Sequence, residues 1–299
     1  MRSDNVIAMA IAALLLSAVT PAIHAQSGRH VLVAGPVVAR TLTYGKEPRQ
    51  AATLFTREGA RRAPLIVYLH GGGWSAGSPR DGSRGAQTGH WTRNGYAYAT
   101  VGYRYVPAAT AEDQLRDVAQ AIALLRRQAG VDGSRIALIG HSSGGTMAAQ
   151  LGTDPNWLEK AGVPFTALKG VVLLDPSVLD IPPVMAQLGA PIVERYLRPA
   201  FGDDPVRQSE LSPVKHVEPP NAPAWAIVAD ANNGFASAQG SDFAAGLIGA
   251  GASAKVIPIA GTTHMRINNE IGQRDDRATA EIDAFFAGIF PEVRRPRFR

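Results

Sequence analysis

The chain has 299 residues, of which 45% are hydrophobic, and this allows one large α/β domain or two small ones with a substantial core. The formal net charge is +5, but most of it comes from four arginines near the C-terminus: Arg294, Arg295, Arg297 and Arg299. The rest of the chain has no basic stripe with interleaved aromatic residues, which excludes the usual nucleic-acid-binding surfaces. The absence of cysteine excludes a disulfide framework and an anchor on a lipid-modified cysteine.

Residues 1–25 have the pattern of a cleaved export signal. Arg2 precedes a mostly apolar run from Val6 to Val19, and Pro21 and Ala25 follow. A run of about 14 apolar residues is shorter than the roughly 20 that span a bilayer. A charged start, a short apolar middle and a small residue at the cleavage point are typical of secretory signals. We therefore expect an exported protein, periplasmic or secreted, without stable membrane insertion.

Strand-like and helix-like patterns alternate along the chain after residue 40. Two short strand-like runs lie between Arg40 and Thr56, separated by a turn sequence at Tyr44–Pro48. Strands that alternate with helices indicate the α/β class, with a mostly parallel central sheet covered by helices on both faces. The further predicted elements, in chain order, are strands at Leu65–Leu69 and Ala97–Val101, a helix at Glu112–Gln128, a strand at Ile136–Ile139, a helix at Gly144–Leu151, strands at Val171–Leu174 and Trp225–Ala229, a helix at Ser241–Leu247, a strand at Lys255–Ile259 and a helix at Ala278–Phe290.

One segment, at about residues 176–223, interrupts this alternation. It contains the proline pairs Pro182-Pro183 and Pro219-Pro220 and one candidate helix at about Val184–Tyr196. Its apolar residues are too few for a separate core. We therefore expect residues 26–299 to form a single domain, with this segment as a small insertion over the edge of the sheet and the active site.

A G-x-S-x-G sequence places Ser142 between a predicted strand and a predicted helix. In this context the serine occupies a sharp turn that exposes its hydroxyl. Gly140 and Gly144 flank the serine because side chains would collide where the chain reverses. We interpret Ser142 as a catalytic nucleophile.

A second glycine-rich sequence, His70-Gly71-Gly72-Gly73-Trp74, follows the predicted strand at Leu65–Leu69. Attack on a carbonyl group creates an oxyanion, which backbone N–H groups can stabilise. Gly71 and Gly72 allow the backbone to face a substrate, and the N–H of Ser143 opens a helix whose dipole favours negative charge. We predict that these three N–H groups form an oxyanion hole.

A serine hydroxyl needs a base to accept its proton during attack, and the chain offers seven histidines. His264 follows the last predicted strand and all the candidate acids, which is the Ser…Asp…His order of enzymes with this turn. His70 and His141 belong to the two glycine-rich motifs, where we expect them to brace the loops. We therefore predict that His264 is the general base.

These motifs resemble those of the α/β-hydrolase superfamily, and within it the esterases and lipases with an H-G-G-G oxyanion loop. That group includes the hormone-sensitive-lipase-like enzymes and the carboxylesterases, and the chain is also similar to feruloyl esterases and kynurenine formamidases. The resemblance covers about residues 40–290 and implies hydrolysis of a carboxylic ester through an acyl-serine intermediate, without a cofactor or metal ion. Its motifs are His70–Trp74, Tyr103-Arg104-Tyr105, Gly140–Gly145, Ser212-Pro213 and His264.

The resemblance places the acid of the triad just after the strand predicted at Trp225–Ala229, where Asp230 is the nearest carboxylate. Counting back from Gln239 without a gap puts the acid's position on Asn232 instead. Asp180, after the preceding strand, is a further candidate because some hydrolases place the acid there. We favour Asp230 and leave the other two open.

The sequence thus predicts an exported serine esterase that acts on a small-molecule ester with a short or medium acyl group. Ser142, His264 and Asp230 form the predicted triad. Two alternatives stay open, since an amidase or formamidase would use the same triad and a catalytically silent α/β-hydrolase fold would serve for binding. The sequence makes no prediction about the oligomeric state.

Overall fold

The computed structural model describes residues 35–293 of the chain. The predicted export signal at residues 1–25 and the C-terminal arginines lie outside the described residues. Between residues 35 and 293, no helix combines the length and the apolar character that crossing a bilayer requires.

The described residues are organised around one eight-stranded sheet. Its strands are β1 (Val37–Thr43), β2 (Ala51–Arg57), β3 (Ala63–Leu69), β4 (Ala97–Val101), β5 (Val131–His141), β6 (Leu168–Leu174), β7 (Ala224–Asp230) and β8 (Ser253–Ile259). They lie in the order β1-β2-β4-β3-β5-β6-β7-β8. β2 runs antiparallel to both of its neighbours, and every other pair is parallel. The mostly parallel sheet predicted from the sequence is confirmed.

The central strands are buried because they are apolar on both faces. All seven residues of β3 are buried. Leu65 and Val67 pack into the cluster on what we term the first face of the sheet, and Ile66 and Tyr68 pack into the cluster on the second face. A strand of this kind needs a cover on both sides, which a parallel sheet obtains from its crossover helices.

Helices cover both faces, as predicted. Leu115, Met147 and Phe243 bring three of them onto the first face. Trp91 and Phe286 bring two others onto the second face. The helices are α1 (Gln87–Arg93), α2 (Ala111–Leu125), α3 (Ser143–Thr153), α4 (Pro155–Lys160), α5 (Ile181–Gln187), α6 (Ala190–Ile192), α7 (Arg198–Phe201), α8 (Pro205–Glu210), α9 (Gly234–Gly249), α10 (Arg266–Asn269) and α11 (Arg277–Ile289).

The segment between β6 and β7 forms short helices that pack on the glycine-rich loop after β3. The helix expected at Val184–Tyr196 is divided in the structure among α5, α6 and a π-helical turn at Val193–Leu197. The ring centroids of Phe201 and Trp74 are 4.8 Å apart, and a Cβ atom on Gly73 would come within 2.4 Å of the Tyr196 ring. The buried apolar side chains of the segment join the cluster of the first face. The segment therefore extends the main core and flanks the loop.

The Tyr103-Arg104-Tyr105 sequence after β4 is anchored by a buried carboxylate of α2. Nη2 and Nε of Arg104 donate hydrogen bonds of 2.8 Å to Oδ1 and Oδ2 of Asp117. Nε2 of Gln50 donates to Oδ1 of the same carboxylate, also at 2.8 Å. The bidentate pair fixes the chain where it leaves β4, because both partners are planar and held at two points.

We expect the substitution Asp117→Ala to lower the free energy of unfolding by about 3 kcal/mol, since it leaves the Arg104 guanidinium without its buried partner. Asp113→Ala is the matched control on the same helix. It removes a part-exposed carboxylate that caps the helix start, so the expected loss is about 1 kcal/mol. Urea denaturation followed by circular dichroism measures both values. Equal losses would contradict the anchoring role of Asp117.

Candidate active site

Ser142 lies between β5 and α3 in a backbone conformation that residues other than glycine rarely adopt. Its φ is 54° and its ψ is −122°, a strained combination that persists only where the surroundings hold it. The Ser142 N–H donates to the carbonyl oxygen of Leu174 at 3.0 Å, and the Ser142 carbonyl accepts from the N–H of Gly145 at 2.8 Å. The turn has the geometry of a nucleophile elbow.

Glycines flank Ser142 because the turn packs directly on neighbouring backbone. A Cβ atom on Gly144 would lie 2.3 Å from the carbonyl oxygen of Leu69 and 2.4 Å from that of His70. A Cβ atom on Gly140 would lie 2.2 Å from the Gly144 carbonyl oxygen. The start of α3 is therefore in contact with the end of β3.

The loop after β3 contains three consecutive residues with positive φ: 126° at Gly72, 59° at Gly73 and 59° at Trp74. Such angles favour glycine, which explains the glycines at positions 72 and 73. The loop brings Gly71 against the elbow, where an added Cβ atom would lie 3.0 Å from the Cβ atom of Ser142. The structure thus brings the two glycine-rich motifs together.

Three backbone N–H groups beside Ser142 are available to a ligand. Within residues 35–293, no hydrogen bond involves the N–H of Gly71, Gly72 or Ser143. The N–H of Gly73, by contrast, donates to the Ser143 hydroxyl at 3.0 Å, which ties the loop to the first residue of α3. The N–H groups available are those predicted for the oxyanion hole.

His264, the predicted base, lies in the loop after β8 and is paired with a carboxylate. Its Nδ1 is 2.6 Å from Oδ2 of Asp175. Nε2 of His141 donates to the His264 carbonyl oxygen at 2.8 Å, and the two imidazole centroids are 4.8 Å apart. Because His141 directly precedes Ser142, this contact holds the His264 loop beside the elbow.

Asp175 follows β6 and is fully buried. Its Oδ2 also accepts from Nδ2 of Asn233 at 2.9 Å, and its Oδ1 accepts from the N–H of Asp230 at 3.3 Å. Burial raises the pKa of Asp175, but the hydrogen bonds and the charge of His264 outweigh it, so that the pKa lies below its ordinary value. Asp175 is therefore an anion at neutral pH.

The prediction that Asp230 pairs with His264 is wrong. Asp230 ends β7, and its carboxylate accepts from the N–H of Asn232 at 3.0 Å while its own N–H supports Asp175. Neither alternative pairs with His264, since Asn232 is exposed and Asp180 lies 3.7 Å from Nζ of Lys215. The partner is Asp175 because the His264 loop reaches the end of β6, one strand nearer to Ser142 than β7.

A signal for Asp175 was present in the sequence. It directly follows the apolar run Val171–Leu174, at the carboxyl end of a predicted parallel strand, where functional residues of such sheets are placed. Asp180, the candidate chosen after that strand, lies five residues too late.

His70 and His141 are buried and bonded to backbone carbonyl groups. Nδ1 of His70 donates to the Gly71 carbonyl oxygen at 2.7 Å, and Nε2 of His141 donates to that of His264. Burial lowers the pKa of each imidazole to about 4, and for His141 the nearby His264 adds to the effect. Both rings are neutral at neutral pH and brace the loops.

A cleft of about 470 Å³ opens beside Ser142. Besides the backbone of the two motifs, it is lined by charged side chains of both signs and by amides, with Met265 as an apolar contact; the polar residues are Asp81, Arg84, Asn268 and Asn269. Among residues 35–293, those of the segment between β6 and β7 do not line this cleft. The cleft has room for a small polar molecule between Ser142 and these side chains.

We expect Gly144→Ala to lower the free energy of unfolding by about 3 kcal/mol or more, because the added methyl group would overlap two carbonyl oxygens that β3 holds in place. Gly288→Ala is the control. Its added methyl group meets no atom within 4 Å, so better helix propensity raises stability by up to about 1 kcal/mol. Urea midpoints compare the two. A Gly144→Ala protein of unchanged stability would contradict the close packing.

Sequence comparison finds the BD-FAE family over residues 54–174, from β2 to the end of β6. A probable isoprenylcysteine alpha-carbonyl methylesterase of Oryza sativa subsp. japonica is 32% identical over 119 residues, covering 38% of this chain and 27% of the relative. The probable carboxylic ester hydrolase LipM of Mycobacterium tuberculosis is 30% identical over 97 residues, covering 31% and 22%. The matched segment spans about a quarter of the length of these curated relatives.

Solved structures of esterases share the fold. Esterase B of Lactobacillus rhamnosis superposes with a TM-score of 0.70 at 18% identity, covering 86% of both chains. The butyrate-bound esterase Est2 of Thermogutta terrifontis gives a TM-score of 0.66 at 23% identity, covering 84% of this chain and 94% of that one. The sheet order and the structural neighbours show the α/β-hydrolase fold, and the chain is similar over its first strands and helices to the BD-FAE family and to probable ester hydrolases.

Proposed function

We propose that this protein hydrolyses carboxylic esters of small molecules through an acyl-serine intermediate on Ser142. The observation that carries the proposal is the hydrogen bond between His264 and the buried Asp175 beside the strained elbow. The names of the relatives and structural neighbours, which are esterases and ester hydrolases, support the same reaction class.

In the proposed reaction, the Ser142 hydroxyl attacks the ester carbonyl carbon, and Nε2 of His264 accepts its proton. The carbonyl oxygen becomes an oxyanion, which the N–H groups of Gly71, Gly72 and Ser143 stabilise; each such donor is typically worth about 3 kcal/mol in the transition state. When the C–O bond breaks, His264 returns the proton to the leaving alcohol. Water, with His264 again as the base, then releases the acid.

In this proposal Asp175 is the acid of the triad, the role that the sequence assigned to Asp230. A carboxylate that accepts from Nδ1–H holds the imidazole in the tautomer whose Nε2 is free for the serine proton, and it stabilises the imidazolium that forms. The hydrogen bond to His264, together with those from Asn233 and the N–H of Asp230, lowers the pKa of the buried Asp175 carboxyl group against the effect of burial. The pairing of His264 with Asp175 supports catalysis over the catalytically silent fold that the sequence left open.

The substrate is proposed to be a small ester, because the cleft beside Ser142 has a volume of about 470 Å³. Its charged and amide side chains favour polar groups near the reacting carbonyl. Hydrolysis of N-formylkynurenine compared with that of p-nitrophenyl acetate separates an esterase from a formamidase, which would use the same triad. Faster turnover of the amide would overturn the ester assignment.

We expect Asp175→Asn to lower kcat for p-nitrophenyl acetate by about 10⁴-fold, since an amide in place of the carboxylate favours the wrong imidazole tautomer. Asp230→Asn is the matched control, and it should retain a rate within about threefold of the unmodified enzyme, because the N–H that supports Asp175 is a backbone group.

Labelling by a fluorophosphonate, which Ser142→Ala should abolish, tests the nucleophile in the same preparations. The opposite pattern, a slow Asp230→Asn and a fast Asp175→Asn, would return the acid to the end of β7. A protein that neither turns over esters nor takes the label would remove the proposal.

We also propose that the protein is exported, on the sequence pattern of residues 1–25 alone. Fractionation of cells that express the full chain should place the protein outside the cytoplasm, with a new N-terminus after Ala25. Replacing Leu14, Leu15 and Leu16 by charged residues should keep it inside, because a signal requires an apolar middle region. An unprocessed cytoplasmic protein would contradict export.

A further inference from the structure

Two carbonyl groups of the glycine-rich loop are held by side chains that the proposed reaction does not use. The Tyr103 hydroxyl donates to the His70 carbonyl oxygen at 2.7 Å. Nδ1 of His70 donates to the Gly71 carbonyl oxygen, also at 2.7 Å. Both side chains are fully buried, so their polar groups act inside the protein.

Each of these carbonyl groups shares a peptide plane with one of the free N–H groups. The His70 carbonyl is bonded to the nitrogen of Gly71, and the Gly71 carbonyl to the nitrogen of Gly72. Both peptide bonds are trans, so the N–H of each plane points opposite to its C=O. A bond that fixes the carbonyl therefore fixes the direction of the N–H, and it also strengthens that N–H as a donor because hydrogen bonds through an amide polarise one another.

The tautomer of the His70 imidazole allows it to donate to the Gly71 carbonyl group. A carbonyl oxygen only accepts, so Nδ1 of His70 carries the proton. Nε2 of His70 is buried without a hydrogen-bond partner among residues 35–293, which leaves Nδ1 as the polar attachment of the ring. The Tyr103 ring stacks on the imidazole, with centroids 4.2 Å apart and planes 10° from parallel. One stacked pair thus holds both peptide planes.

We propose that Tyr103 and His70 are positioning residues that aim the N–H groups of Gly71 and Gly72 at the oxyanion. This inference rests on the proposed ester hydrolysis. A positioning role and a packing role predict different kinetics. Stabilisation of an oxyanion exists only in the transition state, so the loss of a positioning residue lowers kcat more than it changes KM.

The test compares four variants with p-nitrophenyl acetate as the substrate. Tyr103→Phe keeps the ring and removes the hydroxyl. His70→Asn keeps a donor near the position of Nδ1, whereas His70→Gln moves it towards the position of Nε2. Tyr44→Phe is the control, since it also removes a hydroxyl bonded to a backbone carbonyl, that of Gly102 at 2.6 Å, away from the loop.

Tyr103→Phe and His70→Gln should lower kcat by about 10- to 100-fold with KM within about threefold. His70→Asn should retain about tenfold more activity than His70→Gln, because only the asparagine amide reaches the Gly71 carbonyl. Tyr44→Phe should leave kcat unchanged. Affinity for a trifluoromethyl ketone, which forms a tetrahedral adduct with the serine, should fall in parallel with kcat/KM. Thermal unfolding of every variant identifies the temperature at which all are folded.

Unchanged kcat in Tyr103→Phe and His70→Gln, in an enzyme that turns over the ester, would overturn the inference and leave the proposed function intact. Equal losses in His70→Asn and His70→Gln, with unchanged affinity for the ketone, would assign the pair to packing and overturn it as well. If the unmodified protein neither hydrolyses the ester nor takes a fluorophosphonate label, the proposed function fails and this inference falls with it.

Discussion

The contact between Gly144 and the carbonyl oxygens of Leu69 and His70 determines where the parts of the site lie. β3 and β5 are paired in parallel with Leu69 opposite Gly140, so that the loop after β3 and the elbow after β5 emerge side by side. Because the contact is made by backbone atoms, its distance does not depend on the rotamer of any side chain. Such a contact can hold Ser142 and the neighbouring N–H groups within the few tenths of an ångström that the proposed reaction requires.

The polar side chains of the site come from the carboxyl ends of neighbouring strands, as expected for an open parallel sheet. Ser142 follows β5, Asp175 follows β6 and His264 follows β8. The end of β7 provides no group to the imidazole, but Asn233 and the N–H of Asp230 both donate to Asp175. The hydrogen bond to His264 contributes most to lowering the pKa of the buried Asp175 carboxyl group, and the two donors at the end of β7 add to it. The ends of β6 and β7 are thus joined by hydrogen bonds to the Asp175 carboxylate.

The sequence predicted the sheet, the elbow and the glycine-rich loop because each depends on local chemistry, such as apolar runs and glycines at positive φ. It did not select the acid, since Asp175 and Asp230 both end an apolar strand and only the path of the loop after β8 decides which one meets His264. The helix at Gln87–Arg93 was missed because it contains a glycine and lacks a capping side chain. α9 begins at Gly234, earlier than predicted, since the cap supplied by Asn233 precedes a stretch of small residues without clear helical periodicity.

Three histidines surround the elbow, and burial separates their roles. His70 and His141 are enclosed and donate to carbonyl oxygens, and burial lowers the pKa of each to about 4, because a second proton on either ring would be a buried charge. The His264 side chain is 42% exposed and is bonded to the carboxylate of Asp175, so its protonated form has both solvent and an anion to stabilise it. Of the three rings, this is the one whose surroundings fit the proposed role of general base. Since all three residues are histidines, solvent access and a paired carboxylate distinguish the imidazole that is proposed to act as the base.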